Sequence, residues 1–254
     1  MYFYLVSIAI YMNISDKIST ILYKKYSINN SISSSYRWFF IHAMSNLLTC
    51  YLCYPDLKFC IKNVNTCAIT PPTLKGKLAI YTSIISHLYH IIFFTKKLSY
   101  NDWVHHLSMM GISGTLSLFY ATKVNIMGLW FLSGFPGLID YSMLYCVKMG
   151  FIKSITQRYI YTLISAYIRS PGCLLTCFYC IPVLKDFKYT LNDCSLLINC
   201  LLLFINGQYY CKLACIDYGK KIINYHPYTK KEQQQQTDVS SSLITSIELD
   251  DKLI

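Results

Sequence analysis

Seven ionisable side chains stand inside apolar stretches of this chain: His42, His87, His90, His105, His106, Asp140 and Arg169. Such groups are costly at membrane depth and are functional candidates by default. Histidine exchanges a proton near neutral pH, so a histidine group points to acid-base chemistry. His87 and His90, at i and i+3, share one helix face. His105 and His106 are adjacent and point about 100° apart, so one can face a site while the other bonds a neighbour. Arg169 could pair with Asp140 or bind the phosphate or carboxylate of a lipid. Two blander readings compete: His42 as an interfacial residue and Arg169 as a snorkelling one.

Twelve cysteines add a second kind of chemistry. Cys173, Cys177 and Cys180 are spaced i, i+4, i+7, and Cys211 and Cys215 are spaced i, i+4, which inside apolar helices reads as small-residue packing rather than a metal site. No metal ligand set is assigned. Cys60, Cys67 and Cys194 fall between apolar blocks on the side where disulfides persist, so a bridge among them is a hypothesis.

The elements that must position these residues are membrane helices. The chain has 254 residues, 54% hydrophobic and only 14% charged, with a mean hydropathy of +0.35. A soluble domain carries about 25% charged residues. A soluble enzyme and a disordered protein are therefore both poor readings. The formal net charge of +11 does not call for nucleic acid, because the basic residues lie between apolar blocks, where they set topology and meet anionic lipid. Seven segments can be marked: Tyr2–Tyr11, Trp38–Tyr54, Leu78–Phe94, Trp103–Ala121, Ile126–Val147, Tyr159–Leu184 and Ser195–Ile216. The first is short, cut off by Asn13, Asp16 and Lys17, so the expected fold is an all-α polytopic bundle of six or seven spans. Continuous apolar blocks do not fit the alternation of a β-barrel. Residues 1–35 read as a weak first span and a connector, 36–216 as the membrane domain, and 217–254, with Gln233–Gln236 and Ser240–Ser242, as a disordered tail.

Loop charges orient the bundle. Lys17, Lys24, Lys25, Arg37, Lys96, Lys97, Lys148, Lys153, Arg158, Lys220, Lys221, Lys230 and Lys231 fall on one side, against Lys58, Lys62, Lys75, Lys77, Lys123, Lys185 and Lys188 on the other. The richer side, with the C-terminus, is expected to be cytosolic. The sequons at Asn13 and Asn29 then lie on that side and are expected to stay unmodified. Measured from the cytosolic ends of the spans, His42 and His90 lie about 6 Å deep, His87 and Asp140 about 10 Å, His105 and His106 about 3–5 Å, and Arg169 about 15 Å. Residues of five spans thus agree in depth, which suggests one polar chamber opening to the cytosol. Asp102 and Trp103 look like a helix start at the interface. Gly134-Phe135-Pro136-Gly137 ahead of Asp140 and Ser170-Pro171-Gly172 after Arg169 should break their helices, as happens where a helix lines a cavity.

Asp102-Trp103-Val104-His105-His106, then Gly137-Leu138-Ile139-Asp140 through Leu144 to Lys148, resemble the TLC-domain family, named for translocation-associated membrane proteins, ceramide synthases and a neuronal lipofuscinosis protein. Arg37 to His42 and Ile205-Asn206-Gly207-Gln208-Tyr209-Tyr210 are similar to its first and last shared spans, so the resemblance covers about residues 36–216. The chain departs from ceramide synthases in having Asp140 alone where they carry an acidic pair, Tyr145 near the place of their Glu, and Ser86-His87-Leu88-Tyr89-His90 in place of an Asp-bearing motif. It resembles an outlying branch.

The resemblance implies a TLC-like bundle in the endoplasmic reticulum that acts on membrane lipids. It implies His105 and His106 as general base or transient acyl acceptor, Asp140 as an assisting residue, and acyl-CoA as co-substrate, with no resident cofactor. His87, His90 and Arg169 are the expected lipid- or substrate-binding residues. A non-catalytic regulator of membrane lipid composition or trafficking is the alternative, and a homodimer is left open. A haem or metal redox protein is the third class. Iron boxes of the HxxHH type need more histidines than His87, His90, His105 and His106 supply, and haem needs histidines facing across helices, such as His42 and His90.

Overall fold

The computed structural model describes residues 2–28, 35–94, 98–185 and 187–225, without the side chains of residues 2, 101, 102, 224 and 225. The cap reading of Asp102 and the sequon at Asn29 lie outside these; of the tail read as disordered from residue 217, residues 217–225 are helical, a continuation of the last helix, and only the rest lies outside. The described residues are helical and contain no strand. In chain order the helices are α1 (Tyr2–Tyr26), α2 (Ser35–Lys62), a single turn α3 (Val64–Cys67), α4 (Leu74–Phe94), α5 (100–120), α6 (123–149), α7 (Ser154–Lys185) and α8 (Leu191–Tyr225). Residues 1–214 form one compact unit; the second unit, 215–254, is described only for the last turns of α8. Among the described residues four helices are long and apolar enough to cross a membrane: Phe3–Tyr26, Leu74–Phe94, Ser154–Lys185 and Leu191–Ile223.

The first segment is longer than its polar residues suggest. The helix does not stop at Asn13, Asp16 or Lys17 but runs 25 residues to Tyr26. The reason is tertiary. Arg37 of α2 donates two hydrogen bonds to the Asp16 carboxylate, the Nε one at 2.7 Å, and the Tyr89 hydroxyl of α4 donates a third at 2.9 Å. A carboxylate supplied in this way no longer needs water at that height of the helix. Ile8 and Met12, a turn or two earlier, bury with Ile41, Tyr89 and Phe94.

The α2 helix is the hub, packed against α1, α4 and α6. Its 28 residues make it about 42 Å long at ~1.5 Å per residue. Two apolar clusters fasten its far half: Leu52 and Cys53 with Ala79, Ile80 and Ile126, and Leu57 and Cys60 with Val124, Met127, Cys180 and Leu196. The outside of the bundle is itself apolar. Phe3, Ile92, Phe119 and Tyr167 are 68% to 77% exposed, an arrangement suited to hydrocarbon rather than water.

The broken helices are widened rather than interrupted. A π-helical stretch, Trp130–Gly134, precedes Pro136 in α6, and another, Ser165–Arg169, precedes Pro171 in α7. Proline lacks an N–H and its ring collides with the carbonyl four residues back, so the preceding turn opens to the next carbonyl along. The Phe135 N–H accordingly reaches the Trp130 carbonyl, and the Ser170 N–H the Ser165 carbonyl, each five residues away. A third π-helical stretch, Leu107–Gly114 in α5, contains two glycines and no proline.

Chain connections come together at two ends. The Ile28 N–H bonds the Met149 carbonyl at one end, and the Lys123 N–H bonds the Thr70 carbonyl at the other. The loop charges had placed each of these pairs on a common side. Cys60 is bridged to Cys67 at the second end, while Cys194 is a free thiol. Of twelve cysteines ten therefore remain free. Denatured, unreduced protein is expected to take up ten maleimides by intact mass, rising to twelve after reduction; twelve before reduction would remove the bridge.

Candidate functional site

Three widened helices, with α2, α4 and α8, enclose a cavity of about 250 Å³. Each π-helical stretch contributes to its wall: Met109, Met110 and Ser113 from α5, Leu132 and Ser133 from α6, and Arg169 from α7. Such stretches recur at functional sites because the extra residue redirects side chains off the regular helical row. The polar lining includes His42 and Asn46 of α2, His87 of α4, His105 of α5, Asp140 and Tyr141 of α6, Tyr161 of α7, and Asn199 and Tyr210 of α8. Gly137 lets α6 approach here, since a Cβ at that position would stand 2.5 Å from the Asn46 amide nitrogen.

Five histidines form one array behind and along this wall. Ring centroids lie 5.2 Å apart for His42 and His90, 5.3 Å for His87 and His106 and for His90 and His106, and 6.0 Å for His87 and His105. The adjacent pair divides as its geometry demands. His105 lines the cavity, whereas His106 is buried, 6% exposed, against His87 and His90 and is not part of the lining. His90, expected at the substrate, also sits behind the wall, with its ring 4.0 Å from that of Trp38 and its Nδ1 3.3 Å from His42 Nε2. His42 is not interfacial: it is buried, stacked on Tyr141 at 4.6 Å, and reaches the cavity.

Donor and acceptor rules assign two tautomers. His87 Nδ1 lies 2.7 Å from the Ser83 carbonyl, which only accepts, so Nδ1 carries the proton and the lone pair of neutral His87 is on Nε2. Arg169 only donates, and its Nη2 lies 2.8 Å from Asn206 Oδ1, which fixes the orientation of that amide. The Asn206 Nδ2 then donates to His105 Nδ1 at 3.3 Å. Neutral His105 is left with its proton on Nε2 and its Nδ1 lone pair engaged. The two cavity histidines are therefore unlike: His87 offers an acceptor and His105 a donor.

Asp140 and Arg169 line the same cavity but do not pair. The Asp140 carboxylate takes a 2.6 Å hydrogen bond from the Gln157 amide. Ion pairs form instead between Arg37 and Asp16 and between Lys123 and Asp56. The Arg169 guanidinium does not snorkel away. Tyr161 accepts from Nη1 at 3.2 Å, Asn206 from Nη2, and Tyr210 lies under the group with its centroid 5.1 Å off.

Sequence reasoning gave no site role to Asn206, which it quoted only within the stretch Ile205–Tyr210, and passed over Gln157, Tyr161 and Tyr141. A signal was present for two of them: Gln157, Tyr161, Ser165 and Arg169 follow one another at i+4 along one face of α7. Asn206 and Tyr141 stand in apolar runs and are identified by what they touch. The haem reading needs two histidines held apart by a macrocycle, and His42 and His90 are in direct contact instead. No group of three His, Cys, Asp or Glu among the described residues is placed to hold a metal ion. Compared with protein-family models, curated proteins and solved structures, the chain matches none.

Proposed function

We propose that this chain is a TLC-type membrane protein with six or seven spans that takes a membrane lipid into the histidine-lined cavity and transfers an acyl group to the lipid's amine or hydroxyl, with acyl-CoA as the donor. The observation that carries the reading is the pair of unlike histidines, His87 and His105, on the wall of one cavity. An acyl transfer needs both. The acceptor's O–H or N–H proton passes to the His87 Nε2 lone pair as the oxygen or nitrogen bonds the acyl carbon. The C–S bond then breaks and the thiolate leaves and takes up a proton. Meanwhile the His105 Nε2–H donates to the acyl oxygen, where negative charge develops. His105 and His106 remain the pair on which the family resemblance rests, but His106 supports the array from behind, and Asp140 fixes Gln157 and α7. The richer basic end is assigned to the cytosol and the membrane to the endoplasmic reticulum.

A lipid-binding regulator is the second reading, favoured by the tie between the His105 lone pair and Asn206. Untargeted lipidomics decides between them, using cells that express wild type or a His87→Ala/His105→Ala double variant at matched levels. One lipid class changed by wild type alone supports the transferase and names its product. Equal shifts with both chains support the regulator, and no shift with either removes the lipid reading.

A further inference from the structure

Arg169 carries a charge with no carboxylate at ion-pair distance among the described residues. A guanidinium has five N–H donors. Tyr161 and Asn206, both neutral, each take one, and Nε is buried with no hydrogen-bond partner. Asp140, the acid on the same wall, lies beyond ion-pair distance and holds Gln157 instead. A cation left unpaired within a membrane bundle is costly and is rarely kept without a use. The geometry around it is that of a held fork: Tyr161 and Asn206 restrain both terminal nitrogens and Tyr210 supports the plane from below. A planar, restrained pair of donors matches an oxyanion bidentately.

From this we infer that Arg169 binds the oxyanion of the cavity's ligand, so that the ligand is a lipid with a carboxylate or phosphate head rather than a neutral or cationic one. The inference rests on the lipid reading of the cavity and narrows it to one headgroup chemistry. It also links recognition to the histidine wall: Asn206 bonds both Arg169 and His105, so an anion seated on the guanidinium lies one amide away from His105. The apolar Met109, Met110 and Leu132 line the same cavity and suit the first carbons of a chain.

The test is equilibrium binding of radiolabelled ligands to the purified full chain in a neutral detergent. The probes are oleate, oleoyl lysophosphatidate, monooleoylglycerol and inorganic phosphate. The two oxyanion lipids are expected to bind wild type at least tenfold more tightly than monooleoylglycerol. In Arg169→Gln their affinity should fall roughly ten- to hundredfold, the size of a lost charge-assisted hydrogen bond, while monooleoylglycerol changes less than about threefold. Arg169→Lys, which keeps the charge but not the fork, should fall between them. Equal binding of neutral and anionic lipids to wild type overturns the oxyanion assignment and leaves the lipid reading standing. Phosphate alone binding as tightly as lysophosphatidate keeps the oxyanion and removes the lipid. No binding of any probe removes both. If Arg169→Gln does not purify as a single species, the wild-type preference and Arg169→Lys decide the matter.

Discussion

On the proposed acyl transfer, His87→Ala is expected to lower turnover by about 10²- to 10⁴-fold, the usual contribution of a positioned general base. The effect should be larger than that of His106→Ala, although His106 belongs to the adjacent pair on which the family resemblance rests. The ground is geometric. His87 donates its Nδ1 proton to the Ser83 carbonyl and keeps a lone pair on Nε2, whereas His106 is buried outside the cavity lining. Glutamine separates base from donor. At position 105 its amide N–H can replace the imidazole N–H, so His105→Gln should stay within about tenfold of wild type, whereas His87→Gln can accept a hydrogen bond but cannot carry a proton and should match His87→Ala. Initial rates of acyl transfer by purified variants over a pH series give the readout. Loss of the proton acceptor should flatten the limb that follows base protonation, a change that a merely structural defect would not make. A His105→Gln chain as inactive as His87→Ala would return the base to His105.

Asp56→Ala is expected to give a large loss of stability. Asp56 is fully buried at the far end of α2, with Lys123 Nζ 3.3 Å from its carboxylate. It also accepts from the Thr73 N–H at 3.0 Å and the Thr73 hydroxyl at 2.9 Å, and that hydroxyl accepts from the Gly76 N–H. One side chain thus ties α2 to the start of α4 and the start of α6. A Cβ on Gly76 would meet its oxygen at 2.1 Å, so the packing leaves no slack. Removing one partner of a buried pair costs about 3–5 kcal/mol, because the other charge stays behind unpaired. In a chain of this size that amounts to a fall of roughly 6–20 °C in midpoint, measured by melting in detergent. Lys123→Met should be comparably harmful, and the Asp56→Asn/Lys123→Met double variant should recover part of the loss, since neither charge is then stranded. A melting curve for Asp56→Ala that overlays wild type would show that the tie contributes nothing.

The sequence and the tertiary structure divide the account along physical lines. Helical class and the position of most apolar segments were legible directly, because a chain with so few charges and continuous apolar blocks can satisfy its backbone only by helices. The widened turns were legible as breaks, because Pro136 and Pro171 remove a donor wherever they stand. The ends of the chain connections were legible from charge. Local rules misjudged α1. Asp16 reads as a terminator until Arg37 and Tyr89, distant in sequence, are seen to satisfy it. Asp56 lies beyond the marked segment Trp38–Tyr54, yet α2 continues through it because Thr73 and Lys123, distant in sequence, satisfy it. The histidines announced a site by type and depth, but which of them meet the cavity depends on helix rotation and on the added residue in each π turn. Neither is encoded in spacing along one helix. His105 rather than His106, an acceptor at His87 and a donor at His105, and Arg169 tied to Asn206 instead of Asp140 are all contacts between helices. Tertiary packing alone decides them, because a hydrogen bond takes its partner from whichever element is brought within about 3 Å.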